Sequence, residues 1–338
     1  MNKSNNMLFM MILISSVMVS ISSNSWFVVW MGMEINLMAF LPMITEQKNS
    51  TSKESSLTYF MVQSIASMLM IMSFIIMMIY NKNMNFYYNS MGELMLMSTL
   101  MMKAGISPMH FWMPKMMEGL NWNKCLILMT IQKITPLMMM SNIIKINYIT
   151  LMAMILSISV GAMGGLNQTS LRKLMAYSSI SNNGWMMAAM LMSEKTWILY
   201  FLLYSIMTMI MTTSMNMYNN YHINQISSMN ESTIMKLLML INLLSISGLP
   251  PMMGFMPKWM VIQVTMSMNE LMLMGTMILM TLITVYYYLR IMFPVMLLLN
   301  NQPKWINKNK LINKNIMMTM ITFSIMGLMM ITMIMSLY

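Results

Sequence analysis

Residues 105–115 read GISPMHFWMPK, and residues 248–258 read GLPPMMGFMPK. The two stretches lie 143 residues apart in register (105 against 248), without a gap. Gly, Pro, Met, Met, Pro and Lys coincide. Each stretch sits inside a long apolar run and puts helix breakers in the middle of it. Proline removes a backbone donor and clashes with the preceding turn, so both runs are expected to be broken helices. The copies lie on the fourth and ninth apolar runs, five places apart in chain order, an odd number, so the copies run in opposite directions. Broken helices in inverted repeats are the layout of transporters, and broken backbone at membrane depth is tolerated where protein or a watery cavity surrounds it.

Composition agrees. The chain has 338 residues; 58% are hydrophobic and 8% charged. A soluble chain carries about 25% charged residues, and 8% is too little to cover a water-facing surface. This excludes a soluble enzyme, a disordered chain and a nucleic-acid-binding module. One cysteine, Cys125, excludes a disulfide scaffold. Apolar runs such as residues 68–80 do not alternate as barrel strands do. The fold expected is an all-α polytopic membrane protein with about eleven spans. Spans are placed at about 7–23, 26–44, 57–80, 91–114, 123–141, 147–166, 171–192, 196–217, 234–267, 271–297 and 316–337. The fourth and ninth are broken, near 103–114 and 247–257. Residues 1–338 then form a single membrane domain: a first five-helix repeat over about 7–141, a second over about 147–297, and a C-terminal helix.

The 65 methionines are spread over every span. Met replaces Ile and Leu readily in apolar surroundings, and an AT-rich gene read with the AUA-as-Met mitochondrial code gives this pattern. No Arg-rich presequence and no small-residue cleavage site stand out. Basic residues set the orientation. With eleven spans, the N-terminal side holds Lys3, Lys48, Lys53, Lys115, Lys124, Arg172, Lys173, Lys304, Lys308, Lys310 and Lys314. The opposite side holds Lys82, Lys145 and Lys195. The N-terminus is therefore expected in the matrix and the C-terminus in the intermembrane space. The net charge of +11 reflects this bias and contact with lipid headgroups, and calls for no nucleic acid.

Ionisable residues inside spans carry the functional signal. Each costs about 2.5–3.5 kcal/mol at a helix centre on insertion scales. Glu34 lies in the second span, about 12 Å deep at 1.5 Å per residue. Lys103 precedes the fourth-span break, Lys133 precedes Pro136 in the fifth span, and Lys258 follows the ninth-span break. A static ion pair of Glu34 with one lysine leaves two lysines over, so the set points to proton handling. His110, in the fourth-span break, is a relay candidate or a hydrogen-bonding residue of a polar pocket. His222 is expected in a solvated loop. Lys236 and Arg290 lie near span ends and are expected to snorkel. Cys125 is expected to pack, and the tryptophans, mostly near span ends, to form interfacial belts. No Asp, no metal-ligand spacing and no phosphate or dinucleotide loop is present.

Five motifs occur in order: WMGMEIN at 30–36, KAGISPMHFWMP at 103–114, QKITP at 132–136, GGLNQTSLRKLMAYSSI at 164–180 and GLPPMMGFMPKW at 248–259. Together they resemble the antiporter-like membrane-arm subunits of mitochondrial NADH–ubiquinone oxidoreductase, respiratory complex I, in an invertebrate. The resemblance runs from about residue 20 to about 295. It implies a fold of two inverted five-helix repeats and a proton-translocating role coupled to quinone reduction elsewhere in the complex. Glu34 and Lys103 would form a coupled pair, Lys133 the central relay, and Lys258 the exit half-channel. His110 would bridge between lysines, and Ser178, Ser179 and Ser181 would order waters. The chain itself would bind no cofactor. NADH, FMN, iron–sulfur clusters and ubiquinone would belong to partner subunits. Partners would be the other complex I subunits, neighbouring antiporter-like chains among them, and membrane lipids, cardiolipin included, in the mitochondrial inner membrane. Two other readings remain: a cation/proton antiporter acting without electron transfer, and a structural subunit whose buried charges only hold helices together.

Overall fold

A computed structural model describes residues 3–46, 49–81, 86–191, 193–228, 233–297 and 322. The expected C-terminal helix at 316–337, and the orientation charges Lys48, Lys82, Lys304, Lys308, Lys310 and Lys314, lie outside these residues. Among the described residues the regular structure is helical, joined by one isolated antiparallel bridge, Ser170 to His222. The chain divides into two compact units, 1–153 and 154–338.

In the first unit, α1 (Lys3–Ser22), α2 (Trp26–Ile44) and α3 (Ser50–Asn81) pack in sequence. α4 (Phe86–Ala104) lies against α3 and is followed by the short α5 (Trp112–Glu118). α6 (Trp122–Met129) and α7 (Ile131–Ser141) follow, and α7 reaches back to α1 and α4. α8 (Tyr148–Gly165) leads into the second unit. There α9 (Leu171–Met190), α10 (Glu194–Tyr218) and the short α11 (Ile223–Ser227) precede a second interrupted pair, α12 (Thr233–Ser247) and α13 (Phe255–Ser267). The long α14 (Leu271–Leu297) packs on α11, α12 and α13.

Among the described residues six helices, within α1, α2, α3, α8, α10 and α14, are long and apolar enough to cross a membrane. The exposed face of α3 shows why lipid suits it. Met61, Ile65, Met68, Met72, Ile75 and Met78 recur every three or four residues and all point outward. Such a stripe in water would be an aggregation site; against lipid tails it is a solvent-matched surface. Toward the protein the same helices bury small and polar residues, such as Ser67 and Ser73 on α3. Their hydroxyls donate to carbonyls of their own helix, Ser67 to Ser64 and Ser73 to Met70, which satisfies them without water.

Both expected breaks are present, in the same register. α4 ends at Ala104 and α12 at Ser247; α5 starts at Trp112 and α13 at Phe255. Each pair of boundaries lies 143 residues apart. Both helices stop on a left-handed glycine, Gly105 at φ 71° and Gly248 at φ 82°, a conformation that a side chain opposes. After α4 the cap bonds are Ile106 N–H to Met101 O (2.9 Å) and Gly105 N–H to Met102 O (3.3 Å). This is the Schellman pattern. Gly248 N–H repeats the second bond on Ser245 O at 3.1 Å.

The fifth expected span differs. Expected as one unbroken helix, it is interrupted at Thr130, between α6 and α7, and Pro136 lies inside α7. There Oγ1 of Thr130 donates to Leu126 O at 2.7 Å. A hydroxyl bonding back to the fourth residue behind it bends a helix. Four of the tryptophans face protein. Trp112, Trp122, Trp185 and Trp197 are buried in protein, where their area contributes to helix packing.

At one end of the first unit, Glu46 ties the end of α2 to the start of α6. Lys124 Nζ lies 2.5 Å from Glu46 Oε1, Asn121 Nδ2 donates to the same oxygen at 2.7 Å, and Asn49 Nδ2 donates to Oε2 at 2.8 Å. The bond from Lys124 holds the Glu46 carboxyl below its ordinary value of 4.5. A carboxylate held low stabilises the fold above its ordinary pKa, and that contribution is lost as pH falls through the lowered value. Glu46→Gln is therefore expected to lower the heat stability of the solubilised protein in its native assembly at neutral pH. The gap between variant and parent should narrow as the melts are taken below pH 4.5; a gap independent of pH would contradict the assignment.

Candidate functional site

The buried lysines lie at the three helix interruptions. Lys103 occupies the last turn of α4, directly before the break. Lys133 occupies the first turn of α7, three residues after Thr130. Lys258 occupies the first turn of α13. All three are buried, at 9%, 2% and 7% exposure. For Lys258 the reason is backbone accounting. A helix end leaves up to four carbonyls without intrahelical partners, and in a membrane interior each unmet group costs several kcal/mol.

At the end of α12 the free carbonyl is that of Ser247, and Lys258 Nζ donates to it at 2.6 Å. Trp185 of α9 lies beneath the same ammonium, 5.9 Å from ring centroid to Nζ. Gly248 makes room for this side chain: a Cβ there would fall 2.9 Å from Lys258 Cδ and 3.1 Å from its Nζ. At the end of α4 neutral donors do the same work. The Trp112 indole donates to Met102 O at 3.1 Å, and Gln63 Nε2 of α3 donates to Lys103 O at 3.3 Å. The Lys103 ammonium itself turns to the sulfur of Met33 at 3.4 Å.

Glu34 is half-buried on α2, beside Met33. Among the described residues it joins no ion pair, and its Oε1 is buried without a hydrogen-bond partner. Its charge nevertheless acts on Lys103 and on Tyr59. This structure thus holds Glu34 and Lys103 apart while leaving them in each other's field. His110 lies in the α4–α5 break, where its Nδ1 sits 3.1 Å from Pro108 O and its ring lies 4.2 Å from that of Phe111. Glu34, Lys103, His110 and Lys133 belong to the first unit and Lys258 to the second.

A small polar cavity lies between α2, α3, α4 and α7, lined by Lys103 and Lys133 with Asn36, Tyr59, Gln63 and Gln132. The four neutral residues carry no charge signal and no breaker; Asn36 and Gln132 stand in the motifs at 30–36 and 132–136, whereas nothing but helical phase marks Tyr59 and Gln63. Asn36 is two residues from Glu34, and Gln132 adjoins Lys133. Trp112 and Trp185, expected at interfaces, instead serve the breaks. Ser178, Ser179 and Ser181 are buried on α9, and their hydroxyls donate to Met175, Ala176 and Ser178 carbonyls. His222 is exposed and caps α11, and Cys125 is fully buried against Met117 O and Leu120 O. Arg290 donates to Leu166 O at 3.4 Å and Lys236 to Ser227 O at 3.3 Å. Among the described residues no group of three or more His, Cys, Asp or Glu could hold a metal ion.

Comparison with known proteins now bears on this geometry. Residues 23–284 match the family model described as NADH:quinone oxidoreductase/Mrp antiporter, TM. NADH-ubiquinone oxidoreductase chain 2 of Aedes aegypti is 47% identical, over 99% of both chains. The chain of the same name from Anopheles gambiae is 44% identical, again over 99% of both. The chain belongs to the NADH-ubiquinone oxidoreductase chain 2 family. It is an antiporter-like membrane subunit of that enzyme, complex I. Its fold is that of a chain in the respiratory complex I structure from Thermus thermophilus. That match has a TM-score of 0.83 at 18% identity and covers 96% of this chain and 78% of the other.

In this family member the Gly248–Lys258 contact gives a direct test. Gly248→Ala places a side chain at φ 82° and against Lys258, and the conformation alone costs about 1–2 kcal/mol. A lowered melting temperature of the assembled complex is the expected outcome. Gly275→Ala, where a Cβ meets nothing within 4 Å, is the control and should not lower it. Equal melts for the two variants would contradict the packing account.

Proposed function

We propose that this chain carries protons across the mitochondrial inner membrane as an antiporter-like subunit of NADH:ubiquinone oxidoreductase, through Glu34, Lys103, Lys133 and Lys258. One observation carries the reading: three lysines are buried in a chain with very few charges, each beside an interrupted helix. Static capping accounts for Lys258, on the Ser247 carbonyl, and not for Lys103 or Lys133, each of which is expensive at membrane depth.

The proposed sequence of events is as follows. Partner subunits hold NADH, FMN, the iron–sulfur clusters and ubiquinone, and supply the driving signal when quinone is reduced. That signal changes the separation of Glu34 and Lys103. A carboxylate close to Lys103 favours its protonated form, and a distant one favours release. The released proton passes to Lys133, with His110 as a bridging group, and leaves on the Lys258 side. There the ammonium is held by the Ser247 carbonyl, so exit requires that bond to exchange for water.

The common 143-residue register of the helix breaks supports two five-helix repeats, over about 7–141 and 147–297 of a single membrane domain. With the C-terminal helix they give about eleven spans. The offset of five spans from one copy to the other, an odd number, makes the repeats inverted, and the excess of basic residues on one side puts the N-terminus in the matrix and the C-terminus in the intermembrane space. The partners are other complex I subunits, neighbouring antiporter-like chains among them, and lipids with anionic headgroups such as cardiolipin.

Lys133→Ala in an otherwise assembled complex tests the reading. Fewer protons moved per NADH oxidised are expected, and an unchanged ratio would contradict it. The family model also spans Mrp antiporters, which supports a second reading, cation/proton exchange without electron transfer. A native gel of mildly solubilised inner membranes separates the two. Co-migration of the chain with a large NADH-oxidising band is expected; a small separate species would bring the antiporter reading forward.

A further inference from the structure

The cavity between Lys103 and Lys133 has a volume of about 20 Å³, room for a single water. Its polar wall is ordered by two hydrogen bonds. Tyr59 Oη donates to Gln132 Oε1 at 3.2 Å, and Gln132 Nε2 donates to Asn36 Oδ1 at 2.7 Å. The amide therefore has one orientation, oxygen toward α3 and nitrogen toward α2. Tyr59 is fixed in turn by its ring, edge-on to Phe40 at 5.4 Å and tilted on Trp112 at 6.0 Å. The chain Tyr59–Gln132–Asn36 thus ties α3, α7 and α2 together at the cavity. After these bonds Gln132 keeps one N–H and one lone pair, and Tyr59 keeps a lone pair. Those groups and the two lysines give a water the two to four partners it needs.

We propose that Gln132 is a positioning residue, held by Asn36 and Tyr59, that seats a water between Lys103 and Lys133 and so governs proton exchange between them. The inference rests on the proton-relay reading of the two lysines. In the step itself the water gives a proton to the neutral Lys133 amine as it takes one from the Lys103 ammonium. One N–H bond breaks and one forms, and the water is regenerated. Asn36 shares α2 with Glu34, two residues away, so a shift of α2 that moves the carboxylate also pulls on the Gln132 amide. Charge movement at Glu34 and water placement at Gln132 are then one event. An amide does this better than a charged group, since it orients the water without competing for the proton.

The test uses the intact complex and measures protons moved per NADH oxidised, and coupled turnover across a pH series. Gln132→Leu keeps the bulk and removes the polar groups; coupled turnover is expected to fall by roughly tenfold, as for a misplaced proton-transfer partner. Tyr59→Phe keeps the ring against Phe40 and Trp112 and frees Gln132 Oε1; a smaller fall of about threefold is expected on the same grounds. In both variants the pH profile should be displaced, which a merely structural role would not do. If Gln132→Leu fails to assemble, Tyr59→Phe decides. Unchanged turnover and pH profile in Tyr59→Phe or Gln132→Leu, with proton yield lost in Lys133→Ala, would overturn the positioning role and leave the relay reading standing. An unchanged yield in Lys133→Ala as well would overturn both.

Discussion

The bond from Lys258 to the Ser247 carbonyl expresses the constraint on which the rest of the molecule depends. A helix that stops inside a membrane strands its last carbonyls where no water is at hand. Something in the protein must meet them. In the second unit an ammonium does so, and the positive charge also suits the negative end of the helix dipole. In the first unit the Trp112 indole and the Gln63 amide take that task, which leaves the Lys103 ammonium free to face a sulfur and a cavity. The same backbone device, stopped by a left-handed glycine in both units, therefore presents its lysine in two ways. One is bound to the break, and the other is held beside it.

This difference gives the buried charges distinct surroundings. Lys103 ends α4, where the dipole favours a cation, whereas Lys133 begins α7, where the dipole opposes one. A proton moving from the first to the second runs against that local field, so it needs a driving change nearby. Glu34, close enough to act on Lys103 and not paired with it, is the group placed to supply one. Charges fixed in tight pairs could not respond in this way, because breaking a buried pair costs several kcal/mol. Separation of Glu34 from Lys103 is thus part of what makes the arrangement workable.

Much of this was readable from the residues. Low charge and long apolar runs announce a membrane protein. Gly105, Pro108, Gly248 and Pro251 mark the two breaks, because glycine and proline act on the backbone itself. Buried ionisable residues stand out for the same reason that they are costly. What escaped the sequence depends on helix phase and on contacts between helices. At the interruption Thr130 bonds its hydroxyl back into its own helix, and other threonines do so without any break, Thr212 and Thr213 among them. Trp112 and Trp185 lie near span ends, as interfacial residues do, and only their neighbours reveal that one caps a carbonyl and the other underlies Lys258. Asn36, Tyr59, Gln63 and Gln132 are neutral residues on three helices, and nothing in their spacing says that they converge.

The central claim is that the lysines at the helix breaks exchange protons during turnover. The most direct measurement is an infrared difference spectrum of the complex with nitrogen-isotope-labelled lysine, recorded before and during NADH oxidation. The account predicts label-sensitive ammonium and amine bands that appear on turnover and vanish in Lys133→Met. A turnover spectrum with no lysine bands, or with bands that persist unchanged in the variant, would contradict it.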